Sequence, residues 1–411
     1  MKLLLVHRYI RPDTPGYAHM LYIMGQHFAK QGHEVTIFSA QPSYNDAYVG
    51  PSLPKVQQVD GMTVIRTPLF KETKKNALMR SLNFLRFSMA LFCHAVFRRQ
   101  AYDLMTVTTF PPAIMGFLAR MIGCFRKTKY VYHCMDLYPE VAETSGVIKR
   151  KFLLSLARSV DKRNCQKAGA VVLLSDDMRR TIAKRGIATD NTHSINNFII
   201  DHYDSSLQLP TEIEIAPNEF HVIFAGNMGR FQSLDTIVAA AKIIAEKNSG
   251  VEPAIKFLFV GAGTETEALK SLSGDLLNKS IFFHSYYPIQ TALTIISRCQ
   301  LGVISLGAGV IECAYPSKTM TYLEAGCKLL TLVEPESALA RMVVEKQLGQ
   351  VCAAATPEAV ADAILVEYKS WHGNGSDPEH VRKVGRSLFD QSLILGKWDS
   401  LLAEMDSEVS R

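Results

Sequence analysis

A lysine and a glutamate in the segment YPSKTMTYLEAG, residues 315–326, have the most specific chemistry in the chain. Ser317 is placed to cap a predicted helix, Lys318 then lies in the first turn, and Glu324 lies near the end, before a glycine C-cap. An ammonium group at a helix N-terminus suits a diphosphate, because the helix dipole already favours anions there. A carboxylate can accept hydrogen bonds from ribose hydroxyls. The competing interpretation is a surface lysine and a solvated glutamate.

Glycine-rich turns follow two predicted strands in the same half of the chain. FAGNMGRF contains Gly226 and Gly229, and FVGAGTE contains Gly261. Glycine lets a ligand approach the backbone closely, and open parallel sheets bind ligands at the carboxyl ends of their strands. Two such turns in one sheet therefore favour a ligand site. Near the N-terminus, RYIRPDTPGYAHM places Gly16 where a helix begins, which fits either a phosphate cradle or an ordinary turn.

Titratable side chains follow a predicted strand in the first half, in KYVYHCMDLYPEVAE. A positioned carboxylate, here Asp136 or Glu140, can bind or deprotonate a hydroxyl group. His133 is a further candidate, although a histidine at a strand end is as often structural. The sequence contains no Asp-x-Asp pair, so we expect a diphosphate site that needs no metal.

Composition limits the class of protein. The chain has 411 residues, 47% of them hydrophobic and 20% charged, which excludes a disordered protein. A prior of roughly 150 residues per domain predicts two or three domains, of which two is the simplest interpretation. The net charge of +6 suits anionic partners but does not indicate nucleic acid. The 8 cysteines form no Cys-x-x-Cys motif, which favours a reducing compartment, the cytoplasm.

Short apolar runs alternate with helical patterns, which predicts βα units around parallel sheets. The predicted strands of the first half are 2–6, 34–38, 62–66, 104–107, 130–133 and 170–174; those of the second half are 221–225, 255–260, 281–283, 301–306, 329–333 and 351–354. The polar segment 201–218 contains two prolines and predicts a linker between domains 1–200 and 219–385. A first helix is expected at 17–31, and a last helix at 388–405 has an apolar face that needs a partner.

A further helix is predicted within residues 71–100, where apolar and basic residues are mixed. Its apolar stripe consists of Leu78, Leu82, Leu85, Met89, Phe92 and Val96. Such a stripe fits a helix on an anionic membrane and fits a core helix equally well. The run is too short to span a bilayer, and the apolar run 3–6 is too short for a signal peptide.

Eight segments occur in an order that resembles the family 4 glycosyltransferases of the GT-B fold, especially bacterial members that build O-antigen, capsule and exopolysaccharide. They are TPGYAHML, GHEVTIF, HCMDLYPE, VVLLSDDMRRTI, SINNF, FAGNMGRFQSLD, FVGAGTETEAL and PSKTMTYLEAG. The resemblance covers nearly the whole chain. It implies an α/β fold with two Rossmann-like, doubly wound domains facing a cleft, the acceptor bound by the first and the donor by the second. It also implies that the C-terminal helix, within 386–411, crosses back to the first domain.

The resemblance implies a retaining, metal-independent hexosyltransferase with no cofactor. Its donor would be a nucleoside diphosphate sugar, above all a UDP-sugar, and its acceptor a saccharide or lipid-linked saccharide at the inner face of the plasma membrane. The implied donor contacts are Gly16, Asn227, Gly229, Arg230, Gly261, Ser317, Lys318, Tyr322 and Glu324. The implied catalytic residues are Asp136, His133, Glu324 and Lys318, with Asp136 and Glu140 at the acceptor.

The sequence departs from the family pattern at several positions. Pro316 stands where many members carry the first of two glutamates, and Glu312 is nearby but out of register. Asn227 and Gln232 replace an arginine and a lysine that bind the diphosphate, and Met135 stands where a histidine is expected. Two alternatives therefore stay open: a GT-B nucleotide-sugar epimerase and a non-catalytic nucleotide-binding module.

Overall fold

The computed structural model describes residues 1–13, 16–43, 52–70, 77–144, 150–247, 254–352 and 354–409. The chain forms two compact units. Unit 1 comprises Met1–Ile200, Cys313–Tyr315 and Gln391–Arg411, and unit 2 comprises Asp201–Glu312 and Pro316–Asp390. The segment predicted as a linker, 201–218, is thus part of unit 2, and so are residues 386–390.

Unit 1 contains eight strands and seven helices among its described residues. In chain order they are β1 (Lys2–Val6), α1 (Gly16–Lys30), β2 (Glu34–Ala40), β3 (Val56–Val59), β4 (Met62–Thr67), α2 (Ala77–Phe97), β5 (Leu104–Thr108), α3 (Ile114–Arg126), β6 (Lys129–Cys134), α4 (Glu140–Thr144), α5 (Lys151–Lys167), β7 (Ala170–Leu173), α6 (Asp176–Lys184), β8 (Thr192–Ser194) and, at the end of the chain, α14 (Gln391–Val409).

Unit 2 contains the remaining elements. They are β9 (Phe220–Ala225), α7 (Leu234–Lys247), β10 (Ile255–Val260), α8 (Thr266–Ser273), β11 (Ile281–His284), α9 (Ile289–Ile296), β12 (Leu301–Ser305), α10 (Lys318–Ala325), β13 (Lys328–Leu332), α11 (Ala338–Glu345), β14 (Gly349–Val351), α12 (Pro357–Asn374) and α13 (Pro378–Phe389).

The sheet of unit 1 has the order β3-β4-β2-β1-β5-β6-β7-β8, and only the edge pair β3 and β4 is antiparallel. Its central strands are continuous apolar runs because helices cover both faces of the sheet. On one face α1 and α14 pack into a core that includes Trp398 and Met405. On the other face α2 and α3 contribute Phe87 and Leu118 to a second core.

The sheet of unit 2 is parallel throughout, with the order β11-β10-β9-β12-β13-β14. This is the strand order of a dinucleotide-binding fold, in which the direction of winding reverses between the first and fourth strands. Here that reversal lies between β9 and β12. The predicted α/β class with two doubly wound sheets is confirmed, and so is the packing of the C-terminal helix on the first domain.

Most predicted strands agree with the structure, and the errors have local causes. The predictions missed β3 and β8, because β3 is a polar edge strand with exposed positions and β8 has only three residues. The last strand occupies Gly349–Val351 instead of 351–354, since Gly349 lies directly against the backbone of Leu329. The helix predicted at 388–405 is interrupted at Asp390, whose extended ψ of 142° ends α13 before α14 begins.

Trp398 connects α14 to the sheet of unit 1 and provides a test of that packing. The side chain is 2% exposed, and its ring lies 5.0 Å from the ring of His133. We expect Trp398→Ala to lower the free energy of unfolding by about 3–5 kcal/mol, because truncating a buried tryptophan leaves a large cavity. The matched control is Leu393→Ala on the same helix, where the side chain is 42% exposed. Urea unfolding followed by far-UV circular dichroism measures both; equal effects would contradict the packing argument.

Candidate functional site

Two glycine loops lie against each other at the carboxyl ends of β9 and β10. A Cβ atom on Gly261 would lie 2.0 Å from the carbonyl oxygen of Gly226, and one on Gly263 would lie 2.0 Å from that of Met228. Gly226 and Gly261 have φ angles of 136° and 137°, which side chains rarely allow. Gly261 was predicted as a donor contact, but loop packing by itself explains its lack of a side chain.

Lys318 begins α10 at this same end of the sheet. Its Nζ lies 4.7 Å from the centre of the Phe224 ring, and Gly226 leaves room for its chain, since a Cβ there would lie 2.8 Å from Cε. Burial lowers the pKa of Lys318 to about 8. Within the described part of the chain, its ammonium group makes no hydrogen bond or ion pair. An ammonium without a partner, in the first turn of a helix at the winding reversal, is suited to an anion.

The neighbours of Lys318 on α10 differ from the predictions. Tyr322 was predicted to contact the donor, but it is fully buried, and its hydroxyl accepts a hydrogen bond from the Ala225 amide at 2.9 Å. Its ring lies against Gly302, so Tyr322 fastens α10 onto β9 and β12. Ser317 has helical angles, and its side chain makes no capping hydrogen bond; the predicted N-cap interaction is wrong. The predicted C-cap, Gly326, is confirmed by its left-handed conformation.

The loop after β9 carries the other predicted diphosphate contacts. Gln232 accepts a hydrogen bond from the Gly229 amide at 2.9 Å and so closes the loop internally. Arg230 is exposed, and its Nε lies 3.2 Å from a carboxylate oxygen of Glu265. Asn227 is exposed as well. An exposed ion pair is weak in water, so Arg230 can turn to another anion at little cost.

Glu324 has a different set of partners from Lys318. Both of its oxygens accept hydrogen bonds from Arg386, at 2.6 and 2.9 Å, and one also accepts the Tyr203 amide at 3.0 Å. The Nδ1 atom of His202 lies 3.3 Å away. Burial raises the pKa of this carboxyl, but the hydrogen bonds from Arg386 and Tyr203 outweigh burial and hold the pKa below its usual value.

Helix geometry separates the two residues that the sequence treats as one site. Glu324 follows Lys318 by six positions, which places their side chains about 120° apart around the helix axis. Glu324 is fully buried between α13 and the segment that carries His202. The ribose contact predicted for it would compete with this network. Sequence patterns missed Arg386 and Tyr203, because residues 60 or 120 positions away give no local signal.

In unit 1, His133 at the end of β6 is buried among aromatic rings. Its Nδ1 lies 3.1 Å from the hydroxyl of Tyr17, and the ring is 1% exposed beneath Trp398. Its Nε2 has no hydrogen-bond partner among the described residues. Burial, with a smaller effect of His7, lowers the pKa of His133 to about 3. The lowered pKa favours a neutral imidazole at physiological pH, and the aromatic packing supports the structural interpretation.

Asp136 lies just beyond the same strand. Its backbone forms an antiparallel bridge with Ala314, and the next amide, of Leu137, donates to the Cys313 carbonyl at 2.7 Å. Its carboxylate makes no hydrogen bond or ion pair within the described part of the chain. Burial raises the pKa of Asp136 to about 6. A carboxyl group with this pKa and without a fixed partner is suited to accept a proton near neutral pH.

Glu140, the other predicted acceptor residue, is part of a charged network. One of its oxygens accepts a hydrogen bond from Arg185, and the other lies 3.6 Å from Arg158. Arg185 in turn donates to the buried Asp161 at 2.5 Å. These pairs fix α4 against α5 and the end of α6, so Glu140 has a structural role that Asp136 lacks.

Gly16 was also predicted to contact the donor, at the start of a helix. Gly16 is the first residue of α1, and a Cβ built on it would meet no atom of the described residues within 4 Å, its chain neighbours aside. Among the residues that the structure describes, no group of three His, Cys, Asp or Glu side chains is placed to hold a metal ion. None of the described helices is long and apolar enough to cross a membrane.

Asp136→Asn tests whether this carboxylate is held at a cost to stability. The raised pKa means that the folded state prefers the protonated form, so stability is lost as pH rises from about 4 to about 6. We expect the asparagine variant to melt at a higher temperature than the wild type at pH 7 and at the same temperature near pH 4. Asp190→Asn, at an exposed position, is the control. A lower melting temperature for Asp136→Asn at pH 7 would overturn this assignment.

Glu324 and Arg386 form a pair that a double-mutant cycle can measure. We expect Glu324→Gln to cost about 1–3 kcal/mol at pH 7, because a buried charge-assisted network is broken. Since the pKa of Glu324 is depressed, this loss should shrink as pH falls through the acid range below the ordinary glutamate pKa. Arg386→Gln should add little to Glu324→Gln in urea unfolding. Fully additive effects would show that the two side chains do not interact.

Several known proteins resemble this chain in sequence and fold. A family model described as a glycosyl transferase 4-like domain matches residues 16–197. The putative colanic acid biosynthesis glycosyl transferase WcaI of Escherichia coli K12 is 23% identical over 366 residues, 86% of each chain. The probable glycosyltransferase WbjE of Pseudomonas aeruginosa is 20% identical over 304 residues, 72% of this chain and 74% of that one.

Solved structures show the same fold across the chain. Sucrose-phosphate synthase from Thermosynechococcus elongatus superposes with a TM-score of 0.74 at 15% identity, covering 99% of this chain and all of that one (100%). Anabaena HepE in complex with UDP gives a TM-score of 0.68 at 13% identity, with 98% and 100% of the two chains covered. Residues 16–197 thus match a glycosyl transferase 4-like domain, the relatives are named as glycosyltransferases, and the two doubly wound units have the GT-B fold of the solved structures.

Proposed function

We propose that this glycosyltransferase moves a sugar, with retention of configuration, from a UDP-sugar to a saccharide or lipid-linked saccharide during the synthesis of a bacterial surface polysaccharide. The observation that carries the proposal is the unpaired, partly buried ammonium of Lys318 beside the glycine loop at the winding reversal of unit 2. The names of the relatives and neighbours support it, since WcaI is named for colanic acid biosynthesis and HepE was solved with UDP and with UDP-glucose.

Lys318 and the start of α10 would bind the donor diphosphate. As the bond between the sugar and the diphosphate breaks, negative charge develops on the leaving oxygen. A fixed ammonium and a helix N-terminus stabilise that charge more than they stabilise the intact donor, because they need no rearrangement as it forms. In this proposal they provide the positive charge that a metal ion provides elsewhere, so the reaction needs no metal or cofactor.

Asp136 would act on the acceptor. The acceptor oxygen bonds to the anomeric carbon on the face from which UDP departs, and the carboxylate of Asp136 takes the proton of that hydroxyl. The raised pKa of Asp136 matches this role, because a base whose pKa is near the working pH transfers protons efficiently. Glu324 remains a predicted ribose contact, and the UDP affinity of Glu324→Gln tests it.

We further propose that the acceptor is reached at the inner face of the plasma membrane. The segment within 71–100 would make the contact; its described part, 77–100, consists mostly of α2, and residues 71–76 lie outside the described residues. A lipid-linked acceptor requires an enzyme that works close to the bilayer surface.

Lys318→Ala provides the central test of donor binding. We expect the dissociation constant for UDP, measured by isothermal titration calorimetry, to rise by about 10- to 100-fold, as loss of a charge-assisted hydrogen bond predicts. Wild-type affinity should also fall as pH rises through about 8, because only the protonated amine attracts the diphosphate. Lys270→Ala removes one exposed positive charge from the same unit and serves as the control. Unchanged UDP affinity in Lys318→Ala would reject this site.

Product analysis separates the alternatives. NMR of the product should show the anomeric configuration of the donor sugar; an inverted product would contradict retention. An epimerase would convert the nucleotide sugar without an acceptor. A protein that binds UDP but transfers no sugar to any lipid-linked acceptor would be a nucleotide-binding module.

A further inference from the structure

Helix α2 presents an apolar stripe to solvent. Its exposed large side chains follow helical spacing along one side, and they are Leu78 (71% exposed), Leu82 (41%), Leu85 (61%), Met89 (59%) and Phe97 (78%). The opposite side supplies Phe87, Leu91 and Ala95 to the core of unit 1. A helix that is apolar on both sides is normally buried on both sides. Four residues of the stripe that the sequence could not assign therefore face away from the core, whereas Phe92 and Val96 are partly buried against it.

The two helices next in this layer have the same property. Helix α3 lies against both α2 and α5. Its exposed apolar side chains are Ile114 (51%), Phe117 (42%) and Phe125 (61%), and those of α5 are Phe152 (75%), Leu153 (45%) and Leu156 (53%). These three helices carry eleven of the nineteen large apolar side chains that are exposed among the described residues. We call their outward sides the three-helix platform.

The exposed charges on the same helices have one sign. Helices α2 and α3 contain no acidic residue, and the single one in α5, Asp161, is 2% exposed and bonded to Tyr132 and Arg185. The basic residues of the three helices are Arg80, Arg86, Arg120, Arg126, Lys151, Arg158, Lys162, Arg163 and Lys167. Arg158 is paired with Glu140 and Glu143, but Arg80, Lys151 and Arg163 are exposed.

An anionic bilayer is the partner that fits both features. Exposed apolar side chains on adjacent helices can enter the boundary between headgroups and acyl chains, while basic residues attract anionic lipids at about 1 kcal/mol each. Two copies of this chain docked through the platform would bring positive charges together, which disfavours a dimer. A monomer rarely leaves so many large apolar side chains exposed without a function.

We propose that the three-helix platform binds anionic phospholipid bilayers, with α3 and α5 contributing as well as α2. The biological purpose of this binding rests on the proposed function, in which the acceptor is reached at the membrane. Helices α3 and α5 extend the membrane contact proposed there for α2, and anionic phospholipid is the lipid class. It makes no use of the donor site, so vesicle binding and UDP binding can fail independently.

Vesicle co-sedimentation tests the inference with the full chain. We expect binding to vesicles of phosphatidylcholine with phosphatidylglycerol, at least tenfold weaker binding to phosphatidylcholine alone, and weakening by salt. The apolar test variant combines Leu85→Ser, Phe117→Ser and Leu156→Ser, one on each helix. Its matched control combines Leu272→Ser, Val344→Ser and Val366→Ser, which are exposed positions of unit 2. The test variant should lose at least tenfold in vesicle affinity, and the control should bind as the wild type does.

A smaller variant separates the platform from a contact through α2 alone. Phe117→Ser with Leu156→Ser should weaken binding by itself; if it binds vesicles like the wild type, the three-helix inference is wrong even if the α2 contact survives. Arg80→Glu with Arg163→Glu should remove the preference for phosphatidylglycerol. UDP affinity should stay unchanged in all these variants. No vesicle binding by the wild type, or a dimer in light scattering that the triple variant dissociates, would overturn the proposal.

Discussion

Close contact between two backbone loops determines the geometry of unit 2. The loops after β9 and β10 touch where Gly261 meets Gly226, and a single additional carbon atom at Gly261 would lie 2.0 Å from a carbonyl oxygen. Gly226 also leaves room for the side chain of Lys318. The position of the ammonium group therefore depends on the two glycines, Gly226 and Gly261, as much as on the helix that carries Lys318. The partly buried lysine keeps a charge available because no acidic residue among the described ones is close enough to pair with it.

Charged groups in this protein divide into two kinds. Glu324 is paired with Arg386, and Glu140 with Arg185 and Arg158, so their charges stabilise the fold and are already compensated. Lys318 and Asp136 are partly buried without such partners, and their pKa values move toward the physiological range. Burial of an unpaired ionisable group costs stability, which is typical of residues kept for binding or catalysis. The presence or absence of a charged partner, rather than the residue type, therefore distinguishes Lys318 and Asp136 from Glu324 and Glu140.

The outward surface of unit 1 also has side chains whose usual partners are missing, here apolar side chains exposed to solvent. A helix layer needs only one apolar side to cover a sheet, yet α2, α3 and α5 are apolar on the outside as well. Exposed apolar area lowers solubility unless a partner covers it. The absence of exposed acidic residues on these helices suggests what that partner is. Donor chemistry and membrane contact would then reside on different units of one chain.

The sequence by itself determined the alternation of strands and helices, the two doubly wound sheets and the lysine at the start of α10. These features depend on local periodicity and on residues that are neighbours along the chain, such as the apolar runs of β1 and β9. Tertiary structure decided the rest. Only folding brought Arg386 and Tyr203 to Glu324, placed Trp398 over His133, and showed which side of α2 faces solvent. Such contacts join residues that are far apart in sequence. Burial and pairing set the pKa of a side chain and decide whether its charge is available to a ligand, and neither produces a local sequence pattern.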